Sequence, residues 1–149
     1  MNIPIWAILV IIIIIIAITF IILQTHNSRH NKWENEANFL LKECGYSTIP
    51  KLSIVESNKT YISGRKNKNN KTSSARIYLC TTKKSGEQYD NNTIMTALIH
   101  ELAHAIEPDA DHNDAEFLSV IEKLSLCASI LKKCDPFSKI DPDYPFDEK

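Results

Sequence analysis

Residues 3–23 are apolar throughout except for Pro4 and Thr19, and they include an unbroken run of isoleucine over residues 11–16. This run constrains the chain more than any other feature. About 20 apolar residues match the hydrocarbon thickness of a bilayer, and no polar face is present that would make the run one side of a core helix. A cleaved signal would have a shorter apolar core, a preceding positive charge and a small-residue cleavage site. None of these is found, so the sequence predicts a single-pass transmembrane helix over residues 1–23. No Lys or Arg precedes it, whereas Arg29 and Lys32 follow, which places the C-terminal side on the cytosolic face. Three glycosylation sequons, at Asn58, Asn70 and Asn91, do not argue against this, because about two are expected by chance in this composition.

The remainder reads as a polar juxtamembrane linker (residues 24–32), one domain (33–134) and a Pro- and Asp-rich tail (135–149), loosely packed or disordered. Lys and Arg number 17 against 18 Asp and Glu, for a net charge of −1. That balance gives no strong case for a nucleic-acid partner. The four cysteines, Cys44, Cys80, Cys127 and Cys134, include no close CxxC pair. They indicate neither a zinc ribbon nor a dense disulfide framework.

Within the domain, Trp33, Ala37, Leu40, Leu41 and Cys44 recur at helical spacing and stop at Gly45. Three runs with strand-like spacing follow, at residues 51–56, 59–63 and 76–82, and predict a small mixed or antiparallel sheet. Residues 64–74, with Arg65, Lys66, Lys68 and Lys71 among Asn and Ser, read as a solvated loop. After Asp90, Asn91 and Asn92 the period becomes helical through Ile94, Ala97, Leu98, Leu102 and Ala105, and Pro108 closes that helix. A second helix begins near Asn113, where Asn113 and Glu116 form a capping-box pattern, and turns Phe117, Leu118, Ile121, Leu124, Ala128 and Leu131 inward.

The chemistry lies in the first of these two helices. His100, Glu101, Leu102, Ala103 and His104 form HExxH, a match with about a one per cent chance of accident at this composition. On a helix, residues i and i+4 share a face, so both imidazoles reach one tetrahedral Zn²⁺. Glu101 falls one step round from His100, where it can accept the proton of a water attacking a carbonyl. A catalytic zinc needs a third protein ligand and an open position. His112 ranks first for that role, with Glu116, Asp109 and Asp111 as competitors. Asp109, Asp111 and Asp114 otherwise read as turn and helix-start residues that act behind the ligands.

The run IHELAHAI at residues 99–106, followed by His112, Asn113, Asp114, Ala115, Glu116 and Phe117, resembles the SprT-like and WLM zincin metallopeptidases. The resemblance covers about residues 75–125 and includes the strand before the HExxH helix. It implies His100, His104 and His112 as zinc ligands, Glu101 as catalytic base, and a protein or peptide substrate. The expectation is therefore an α+β minimal zincin on a membrane anchor, hydrolysing peptide bonds, with residues 76–82 pairing to extended substrate. Tyr78 and Tyr89 are candidates to approach the oxyanion, though either serves equally as packing. The rival expectation is a noncatalytic, membrane-anchored structural or interaction protein whose fold is held by zinc.

Overall fold

A computed structural model describes residues 4–47, 49, 51–66, 72–135 and 138–146. Its elements are α1 (Ile5–Glu43), β1 (Leu52–Glu56), β2 (Tyr61–Lys66), β3 (Thr72–Leu79), α2 (Asn91–Ile106) and α3 (Ala115–Ile130). The architecture is α+β, with a three-stranded mixed sheet in the order β1-β3-β2. β1 runs parallel to β3, and β2 antiparallel to it. Leu52 and Ile54 of β1 and Ala75, Ile77 and Leu79 of β3 alternate inward, as the two-residue period of a strand requires. On the other face Tyr61 lies opposite Tyr78 in the register, and the two rings stack with centroids 4.4 Å apart.

α2 lies in the middle of the domain, against the sheet on one side and α3 on the other. Ile94, Ala97, Leu98, Leu102 and Ala105 are buried, and so are Thr93, Met95, Ile99 and Ala103. Asp90 caps its start, the carboxylate accepting from the Thr93 N–H at 2.8 Å and from the Thr93 hydroxyl at 2.6 Å, which satisfies a donor that the first turn leaves open.

One element replaces the three expected at the N-terminus. No helix among the described residues is long and apolar enough to cross a membrane, which overturns the transmembrane helix at residues 1–23 and, with it, the single-pass membrane location. The apolar run is the first part of α1, continuous through the supposed linker into the section that carries Trp33, Ala37, Leu40 and Leu41 into the core. Side chains at 24–31 lie outside the described residues. α1 ends on Gly45, whose φ of 74° suits glycine. Tyr46 N–H bonds to the Leu41 carbonyl and Gly45 N–H to the Lys42 carbonyl, the paired bonds of a Schellman termination.

The hairpin is longer than the residue pattern predicts, since β2 reaches Lys66 and β3 begins at Thr72. The strand ladder satisfies backbone donors and acceptors whatever the side-chain polarity, so polar residues at 64–66 and 72–74 pair despite their loop-like composition. Lys68 and Lys71 lie outside the described residues. At the other end of the domain Cys44 and Cys127 form a disulfide with Cα atoms 5.8 Å apart, joining the end of α1 to α3. The tail is not loose where it is described: Tyr144 is buried, its hydroxyl donating to the Cys80 carbonyl at 2.8 Å and meeting Thr60 Oγ1 at 2.7 Å.

Candidate metal centre

His100 and His104 project from one face of α2, and the segment after Pro108 brings His112 back over them. The His112 Nε2 atom stands 3.1 Å from His104 Nε2 and 3.2 Å from His100 Nε2. All three donor atoms fall within 4.8 Å of one another. Nitrogens bound to one tetrahedral ion at about 2.0–2.1 Å are separated by about 3.3 Å, so the spacing suits a single metal ion. Glu116 and Asp109 do not belong to this cluster. Glu116 is exposed in the first turn of α3.

Asp111 supports the third histidine from behind. Its carboxylate accepts from the His112 backbone N–H at 2.7 Å and lies 3.7 Å from His112 Nδ1, the ring nitrogen not used in the cluster. Asp114 in turn accepts from the Asp111 N–H at 2.6 Å. That bond explains why the capping box of Asn113 and Glu116 does not form. Asp114 is the N-cap of α3, and its carboxylate turns back to the preceding loop instead of into the helix. Leu118, expected inward, is exposed and Val120 is buried in its place, while Phe117 remains inward.

Phe117 is the floor of the site. It is 1% exposed, and its ring centroid lies 5.4, 4.4 and 5.3 Å from those of His100, His104 and His112. An apolar floor disfavours charged imidazole. Burial, followed by the neighbouring His104 and His112, pushes His100 down to about 4. Burial and then His112 lower His104, with Asp111 opposing. Neutral imidazole is the form that offers a lone pair to a metal.

Glu101 is 4% exposed, and burial pushes its carboxyl up to about 7. Among the described residues, the tyrosine on which the Glu101 charge acts is neither of those expected from the sequence. Tyr78 is engaged in its stack with Tyr61, and Tyr89 donates to the Asp143 carbonyl at 3.2 Å. Tyr144 instead feels the Glu101 charge, although burial is the larger cause of its raised pKa. Phe146, two residues on, brings its ring to 5.6 Å from His100. The only signal for these two residues in the sequence is an aromatic pair inside an acidic, Pro-rich segment.

β3 cannot receive a substrate strand, because β1 and β2 already occupy both of its edges. Residues 76–79 are the sheet's centre, and the expected pairing through residues 76–82 is corrected accordingly. The open edge nearest α2 belongs to β2.

No protein-family model, curated protein or solved structure matches this chain. The α+β fold and the three-histidine cluster define a domain equipped to hold a metal ion.

Proposed function

We propose that the chain is a zinc-dependent metallopeptidase in which His100, His104 and His112 hold the metal and Glu101 is the general base. The observation that carries this reading is the convergence of three imidazole Nε2 atoms, with a buried carboxyl one residue from the first of them on the same helix. Zinc is favoured by the donor set, which has three nitrogens and no sulfur. Three protein ligands with a position left for water match catalytic sites, whereas structural sites close the shell with a fourth. Bound there, zinc would polarise a carbonyl oxygen and acidify a water molecule.

The chain's own groups supply the remaining steps. Asp111 fixes the His112 backbone through its N–H and places a carboxylate 3.7 Å from the free ring nitrogen. Glu101, with a carboxyl pushed up to about 7, exchanges protons near neutral pH. It takes the proton of the attacking water and delivers it to the leaving amine nitrogen. Phe117 closes the buried side of the cluster against solvent. The resemblance of residues 99–117 to SprT-like and WLM peptidases supports the same assignment, and the net charge of −1 favours a protein or peptide substrate over nucleic acid.

The full chain loaded with zinc should bind one equivalent and cleave an unfolded protein. Glu101→Gln keeps size but removes the base, so metal content should hold while the rate falls by about two to four orders of magnitude. Stoichiometric zinc with no cleavage across a broad substrate panel would instead identify a noncatalytic protein stabilised by its metal.

A further inference from the structure

β2 is an edge strand, and the residue that leads into it, Thr60, is bridged on the open side by the same chain. Thr60, which leads into β2, donates its backbone N–H to the Pro145 carbonyl at 3.0 Å. Thr60 and Phe146 form a parallel bridge. Proline suits this position because it needs only to accept. The same short segment ends on the metal centre, with Phe146 against His100. An extended ligand adding to this edge requires a backbone donor on β2 and space beside the ligand imidazole. Residues 145–146 take the Thr60 N–H at the entry to β2 and the space beside His100.

The attachment of this segment is uneven along its length. Asp141 is held by Lys83 at 2.7 Å and by the Thr93 hydroxyl, which accepts its N–H at 3.2 Å. Tyr144 is only 7% exposed and is anchored to Thr60 and Cys80. Beyond Tyr144, the described links to the sheet and α2 are the Thr60 bridge and a half-buried phenylalanine ring. Tyr144 is thus the fixed end, and Pro145 and Phe146 are held by fewer of the described links.

We infer that Pro145–Phe146 is an intramolecular strap over the β2 edge, which an extended peptide must displace to lie beside the metal. The peptide as occupant rests on the metallopeptidase reading; the occlusion itself is a property of binding. Because apparent affinity falls with the fraction of molecules in the open form, loosening the strap strengthens peptide binding without adding a contact.

The test uses the zinc-loaded full chain and a fluorescent extended peptide ending in a metal-chelating hydroxamate, with binding followed by anisotropy. Phe146→Ala should bind about tenfold tighter than the unaltered protein, Phe146→Leu should restore the original affinity, and Pro145→Gly should tighten binding without touching the ring. Pro145→Gly decides the matter if Phe146→Ala fails to fold. Unchanged or weaker binding in the loosened variants, or no binding by any form, overturns the strap. Cleavage of an unfolded protein is measured in parallel. Tighter binding by the loosened variants with no cleavage by any form supports the strap and removes the peptidase reading.

Discussion

His104 Nε2 and His112 Nε2 stand 3.1 Å apart, although one belongs to the last turn of α2 and the other to the loop that follows it. The contact depends on the reversal after Pro108 and on Asp111, which bonds the His112 backbone. His112→Ala should therefore weaken zinc binding by more than about a hundredfold, beyond the 10- to 100-fold loss usual for residues behind a ligand. Asp111→Ala should fall within that range, and Glu116→Ala should change nothing. Metal titration of the three variants checks the order. A larger loss from Glu116→Ala would move the third ligand one turn along α3.

Phe117 touches all three imidazoles and lies almost wholly inside the core. Phe117→Ala should lower unfolding free energy by about 3–5 kcal/mol and weaken zinc binding as the rings lose their floor. Phe117→Leu should recover most of the stability. Denaturant unfolding of the metal-free proteins, paired with zinc titration, separates the two effects.

Glu101 gives the metal-free protein a pH signature of known sign. Its folded pKa of about 7 lies above the ordinary carboxylate value, so the folded state binds more protons than the unfolded one between about pH 4.5 and 7. Stability from this group is complete below that window and is lost as pH rises through it, by about 3 kcal/mol in all. His100 works in the opposite sense. Held down to about 4, it makes stability rise with pH between about 4 and 6.5. Glu101→Gln removes the first slope and leaves the second, so metal-free Glu101→Gln should gain on the unaltered protein as pH rises from about 4.5 to 7. Thermal melts at pH 4.5 and 8 measure the gap, and a gap that closes with rising pH would contradict a buried acid.

The Cys44–Cys127 disulfide spans a sequence separation of 83 and ties the end of α1 to α3, away from the histidines. In the oxidised protein, Cys44→Ser or Cys127→Ser should cost about 2–5 kcal/mol, chiefly by freeing the unfolded chain. Zinc stoichiometry should stay at one. Loss of zinc in step with the disulfide would show that α3 needs this link to present Phe117.

The sequence by itself determined what depends on neighbours a few positions apart. The HExxH face of α2, the inward stripe from Trp33 to Cys44 and its end at Gly45 all follow from helical period and local backbone chemistry. The inward position of Phe117 and the convergence of His112 on the other two histidines were legible for the same reason, since only a short loop separates the elements. Contacts between distant segments were decided by the tertiary structure. Periodicity does not say which strand is central, so the pairing role expected of residues 76–82 disappears once β3 lies between β1 and β2. It does not say that an apolar run will continue as one helix into a domain core, which is what α1 does. Nor does it pair Cys44 with Cys127, or bring Tyr144 and Phe146 from an acidic tail onto Thr60 and His100. The disulfide and the tail contacts depend on closing a long loop onto a surface that exists only after the sheet and α2 have packed.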